Sequence, residues 1–191
     1  MTRIISSLFD DYQSARDAVT ALHEAGFTSS DVSIVASNAD NRFTEEKESS
    51  GAAKGASVGG AVGAGAGILT AIGVLAIPGL GPLVAAGVLA TTLTTTAVGA
   101  AAGGLIGTLT DYGVSEADAH VYAEGIRRGG TLVTVRTTDD RIATAESILR
   151  NYKPVDAAAR RDYYAQSGWK GYDPKAPAYG ADEIRREQSS L

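Results

Sequence analysis

Residues 51–82 read GAAKGASVGGAVGAGAGILTAIGVLAIPGLGP, and how this stretch folds decides the architecture of the chain. Gly51, Gly55, Gly59, Gly63 and Gly67 recur at every fourth position, and Gly99, Gly103 and Gly107 repeat the step further on. Between Lys54 and Asp111 there is no charged residue and no aromatic. On a helix, a four-residue step keeps such glycines on one slowly drifting stripe, where a second helix can approach backbone to backbone. Pro78-Gly79-Leu80-Gly81-Pro82 interrupts the block, because two prolines flanking two glycines do not easily continue a helix. The expectation is a Gly/Ala-rich helical hairpin over residues 51–110, with arms at 51–77 and 83–110 and an apex at 78–82. Each arm has about 27 residues and would run ~40 Å. Large apolar side chains gather beside the apex, with Ile68, Leu69, Ile72 and Leu75 on one arm and Leu83, Val84, Val88 and Leu89 on the other. The hairpin thus reads as thin at its glycine-rich base and apolar at its tip.

The flanks have ordinary globular composition. In residues 1–38, Thr2 to Phe9 reads as a strand, and Asp10 with Gln13 reads as a helix start. Tyr12, Ala15, Val19 and Leu22 then share one helix face. Gly26 ends that helix, and Asp31 to Ser37 (DVSIVAS) reads as a second strand. Residues 39–50 are a polar linker. In residues 111–153, Ser115 caps a helix with Ala117, Val121 and Ile126 inward. Gly129-Gly130 stops it. TLVTVRT at 131–137 has β-branched residues at five of seven positions and is the clearest strand. Asp139 or Asp140 then caps a helix with Ile142, Ala145, Ile148, Leu149 and Tyr152 inward. Neither flank alone buries enough apolar surface to fold, so the two halves are expected to form one domain split by the insertion. Residues 154–191 are an extended tail with six basic and six acidic residues. Tyr163, Tyr164, Trp169, Tyr172 and Tyr179 are its candidate anchors, and DEIRREQ at 182–188 reads as a short helix.

Charge and composition exclude several functions. The net charge is −5, whereas a nucleic-acid binder needs a basic patch to neutralise phosphates. The dense basic pairs are Arg127-Arg128, Arg160-Arg161 and Arg185-Arg186. The absence of cysteine removes disulfides, thiolate metal sites and cysteine nucleophiles. The glycine block has no GxGxxG, and Gly51 to Gly55 lacks Walker spacing, so no phosphate loop is read there. His23 and His120 show no metal-ligand spacing, and the pairs Asp139-Asp140 and Glu45-Glu46 read as a helix start and a solvated run. No catalytic, metal or cofactor-binding residue is assigned, and the chain is read as a non-enzyme.

IISSLFDDYQSARDAVTALHEAGFTSSDVSIVAS resembles the first half of the bacterial heat-induced general stress protein family. YAEGIRRGGTLVTVRTTDDRIATAESILRNY resembles its second half. The glycine-rich block is similar to the insertion of members also called low-temperature-induced proteins. The resemblance covers about 150 residues and implies a ferredoxin-like α/β sandwich, so an α+β fold, and a role in bacterial stress. It brings no catalytic residues with it.

Two settings for the hairpin stay open. The uncharged run is long enough for two membrane spans of ~20 residues each, but its Gly and Ala content and the missing aromatic belt weigh against lipid. Alternatively, hairpins from several copies share an apolar core, since a monomer does not leave such a surface exposed. The first functional expectation is a non-catalytic stress protein that forms homo-oligomers, associates with membrane lipid, or both. Its place would be the cytoplasm, including the inner face of the cell membrane. The alternative is an oligomeric regulatory domain sensing a small molecule of unknown identity.

Overall fold

The computed structural model describes residues 2–39, 73–77, 79–87, 89 and 101–191. Its strands are β1 (Thr2–Phe9), β2 (Val32–Ser37), β3 (Gly73–Ile77), β4 (Gly81–Ala86) and β5 (Thr131–Thr138). Its helices are α1 (Tyr12–Glu24), α2 (Ala101–Asp111), α3 (Glu116–Arg127), α4 (Ile142–Asn151), α5 (Ala157–Gln166) and α6 (Ala181–Gln188). The fold is α+β, with one five-stranded antiparallel sheet in the order β1-β5-β2-β4-β3.

β1 and β2 both run antiparallel to β5, which lies between them. They are therefore parallel to each other, joined by α1, and form a split β-α-β unit. Side chains of β5 alternate between the two faces of the sheet. Val133 and Val135 pack with Phe9, Val19, Leu22 and Leu149, under α1 and α4. Leu132 packs on the opposite face with Val35, Leu83, Leu105, Leu109 and Ile126, under α2 and α3. Helices thus cover both faces, which is why every residue of β2 is buried and its polarity does not alternate.

Two expectations are corrected by one residue or two. The cap of α1 is Asp11, whose carboxylate accepts the Ser14 N–H at 2.7 Å, and not Asp10. The inner face of α3 carries Ala119, Val121, Ala123 and Ile126, while Ala117 is exposed. Ser115 does cap α3, through the Asp118 N–H at 3.1 Å. Asp139 and Asp140 lie in a short 3-10 turn before α4, which has no side-chain cap.

The larger correction concerns the apex. Residues 73–77 and 83–86, expected to be the facing ends of two helices, lie in the strands β3 and β4, and β4 begins at Gly81 within the expected apex. They pair in register from Gly73 with Ala85 to Ile77 with Gly81, and β4 pairs in turn with β2. Gly79 and Gly81 hold φ near +80°, which only glycine adopts without strain, and the Leu80 N–H closes the turn on Ile77 O at 3.0 Å. The physical reason is burial. Leu83, Val84, Ala85 and Ala86 are all buried, and pairing with β2 satisfies their backbone within the sheet. A short continuous apolar run bounded by glycine and proline has no period that separates a two-faced buried strand from a buried helix. A turn does stand at Gly79 and Leu80, but it joins a β-hairpin that belongs to the body of the domain. Of the second arm, α2 and Leu89 are helical among the described residues.

Candidate functional site

The most elaborate polar constellation lies where residues 154–191 cross α3 and the end of β1. Val155 enters by donating its N–H to Leu8 O at 2.8 Å. Asp156 caps α5, so Arg160 and Arg161 project from its first turns. Arg160 grips Asp10 with both ends of its guanidinium, at 2.6 and 2.8 Å. This bidentate geometry fixes orientation as well as charge. Arg161 reaches Asp118 at 2.6 Å. Asp10, released from the cap of α1, therefore serves the tail.

At the centre is Glu124, fully buried on α3. It accepts from Arg127 at 3.1 and 3.2 Å and from Arg128 at 2.7 Å. The spacing of three and four residues on one helix makes both contacts possible. Arg128 also holds Glu187 of α6 at 2.7 Å, and its guanidinium lies 4.2 Å from the centre of the Tyr164 ring. Arg127 donates to Pro177 O at 2.9 and 3.1 Å and lies 4.6 Å over the Tyr179 ring. Two arginines thus bind the tail while one buried carboxylate balances them.

The apolar contacts are equally specific. Tyr164 is 1 % exposed and meets Trp169 edge-on at 5.6 Å. Burial pushes its phenol up to about 12, against the opposing pull of Arg160. Tyr172 joins the core beside Ile77 and Leu80, and a Cβ on Gly79 would crowd its hydroxyl. The tail therefore also crosses the β3–β4 turn. Ile184 lies on Gly129, where an added Cβ would fall inside the Ile184 side chain. The Gln188 amide donates to Asp10 O and Gly129 O, each at 3.1 Å.

The two histidines have structural partners. His23 Nδ1 lies 2.9 Å from Phe27 O and donates to it. His120 Nδ1 accepts the Tyr172 N–H at 3.1 Å, which places its proton on Nε2. Among the described residues no three His, Asp or Glu side chains are grouped to hold a metal ion, and no helix is long and apolar enough to cross a membrane.

Of the positions expected from sequence, Gly51, Gly55, Gly59, Gly63, Gly67, Gly99, Ile68, Leu69, Ile72, Pro78 and Val88 lie outside the described residues. Gly103 and Gly107 stand on α2, and a Cβ on Gly107 would meet nothing within 4 Å. Leu75 stands in β3, and Leu83, Val84 and Leu89 are core residues. Gly79, Gly81 and Pro82 form the turn and the start of β4. Among the tail aromatics, Tyr164 and Tyr172 are buried anchors, Trp169 and Tyr179 pack at the clasp, and Tyr163 pairs with Ser190 at 3.2 Å. Sequence reasoning missed Asp10, Glu124 and the role of Arg127-Arg128. The signal was EGIRR at 124–128, a carboxylate with arginines three and four residues on. Comparison with protein-family models, characterised proteins and solved structures found no match.

Proposed function

We propose that this chain is a non-catalytic structural protein that self-assembles through its glycine-rich segment, in the bacterial stress response that the family resemblance implies. The split β-α-β unit supports the ferredoxin-like reading of its globular part. The observation that carries the proposal is Gly107. It stands four residues from Gly103 on α2, and among the described residues nothing lies within 4 Å of where its Cβ would be. Glycines at that spacing suit close approach by a second helix. The basic pairs also fit a structural role, since Arg127, Arg128, Arg160, Arg161 and Arg185 each hold a carboxylate of the same chain. Such pairing withdraws them from anionic partners.

The test is the mass of the full chain in solution, measured by light scattering for wild type, Gly107→Leu and Gly59→Leu/Gly63→Leu. Assembly through the stripe predicts a wild-type multimer and a smaller mass for the variants. A wild-type monomer, or unchanged masses, would refute it. Flotation with anionic and neutral vesicles separates the settings: recovery of the wild type with lipid assigns the glycine segment to a membrane surface, and recovery in the aqueous pool assigns it to a protein core.

A further inference from the structure

The tail is an arm laid on the body and joined to it by a strained hinge. Tyr163 of α5 meets Ser190, just beyond the end of α6, and Trp169 between the two helices packs on Tyr164. The unit meets the body through side chains that reach across a seam: Arg160 to Asp10, Arg161 to Asp118, Glu187 to Arg128, Gln188 to Gly129. Its covalent link is the short run Tyr152-Lys153-Pro154-Val155 between α4 and α5. Lys153 holds φ +54°, the one left-handed non-glycine among the described residues, and it directly precedes a proline. Sterics with the proline ring push the preceding residue toward extended backbone. The closed form therefore bends the chain back at a residue that favours straightening.

A short hinge under strain, joining a body to a unit that docks on it by complementary groups, is the arrangement from which identical elements are exchanged between copies. We infer that residues 154–191 are an exchangeable arm whose alternative partner is the α3–β1 seam of a second copy of this chain. In the exchanged pair Lys153 extends, and each seam contact re-forms between copies with the same groups. The occupant is a second copy because the seam matches the arm in detail. Asp10 faces Arg160, Arg128 faces Glu187, and Gly129 leaves room for Ile184. The arm also packs on the β3–β4 turn through Tyr172, and the tests of its exchange do not use Gly59, Gly63 or Gly107.

Charge reversal reads the exchange directly. Asp10→Arg and Arg160→Asp each place like charges across the seam, so each variant alone loses hydrogen-exchange protection over residues 157–166. When the two are mixed and refolded together, the arm of the first variant keeps Arg160 and finds the Asp10 that the second retains. The aspartate substituted into the second arm likewise finds the arginine substituted into the first seam. Exchange predicts that protection returns in the mixture, and that tagging one variant captures the other in equal amount. Protection that stays lost in the mixture, while Asp10→Arg/Arg160→Asp in one chain is protected, would overturn the inference. Deleting Lys153 decides it independently where reversal is not tolerated. The closed form then loses its bend, and the expected species has twice the mass of the parent form with native Trp169 emission. An unchanged mass overturns the inference, whether the arm is docked or undocked.

Discussion

The glycine-rich segment and the C-terminal arm are opposites in chemistry. The first has no charge between Lys54 and Asp111, while the second carries twelve charged residues in 154–191. Composition alone suggests a packed element in the first case and a solvated extension in the second. Yet the arm is built into the structure through groups that accept a partner in one geometry only: a bidentate arginine, a buried carboxylate, a ring beneath a guanidinium. The described part of the glycine segment enters through backbone pairing and apolar burial, where many side chains of similar size would serve. Directional contacts make the arm specific, and non-directional burial makes the β3–β4 hairpin tolerant.

The sharpest way to break that contrast is to remove the fully buried carboxylate at the centre of the clasp. Glu124→Ala leaves Arg127 and Arg128 without their buried acceptor, and losing one member of a buried ion pair costs about 3–5 kcal/mol. Urea denaturation followed by Trp169 fluorescence should show the midpoint falling accordingly. In the tolerant region, Leu83→Met in β4 keeps side-chain volume and should cost less than about 1.5 kcal/mol, although Leu83 is as fully buried as Glu124. Equal losses in the two variants would erase the distinction.

Alkaline pH probes the clasp next. The Tyr164 phenol ionises near 10 in the unfolded chain and near 12 in the folded one, because burial penalises the phenolate. Its contribution is intact below pH 10 and is lost as pH rises from 10 to 12, where the unfolded chain releases the proton first. Two pH units correspond to about 3 kcal/mol at most. Burial raises Tyr122 and Tyr172 to about 12 as well, so the whole chain weakens over this window. Tyr164→Phe should remove part of that pH dependence, measured as the change in urea midpoint between pH 9 and pH 11.

A weaker effect is expected at the seam's rim. The Asp10 side chain is 41 % exposed, so water screens its pair with Arg160. Asp10→Asn should cost about 1 kcal/mol or less, and raising salt should narrow its difference from wild type. A salt-independent loss larger than that would mean the pair behaves as a buried one.

Local signals carried much of the body of the fold. Ser115 caps α3, Gly26 closes α1, and β1, β2 and β5 stand where the sequence reading put them. Two kinds of information were not local. PLVAA becomes a strand because β2, far away in the chain, offers an edge on which it pairs and is buried, and GVLAI then pairs along its other side. Glu124 and Arg127-Arg128 were visible as a helical charge pattern, but such patterns usually sit in solvent. Only the arm, arriving from residues 160–188, turns them inward. Asp10 illustrates the same point at one position: its neighbour Asp11 takes the helix cap, and a long-range arginine decides what Asp10 does.

The smallest expected effect returns to the glycine segment, and it separates folding from assembly. Gly107→Ala adds a methyl group where nothing among the described residues lies within 4 Å, on a helix of eleven residues. Within a helix alanine is favoured over glycine by about 0.8–1 kcal/mol, since glycine loses more backbone freedom on folding. The isolated fold should therefore gain up to that amount in urea denaturation at low concentration. The same methyl group holds a neighbouring helix further from the backbone, so association should weaken. A variant that is more stable and less assembled would mean that glycine is kept at 107 for a partner and not for the fold. A gain in stability with unchanged mass would leave Gly107 no role at an interface, and the contrast between the two regions would then rest on the β3–β4 hairpin alone.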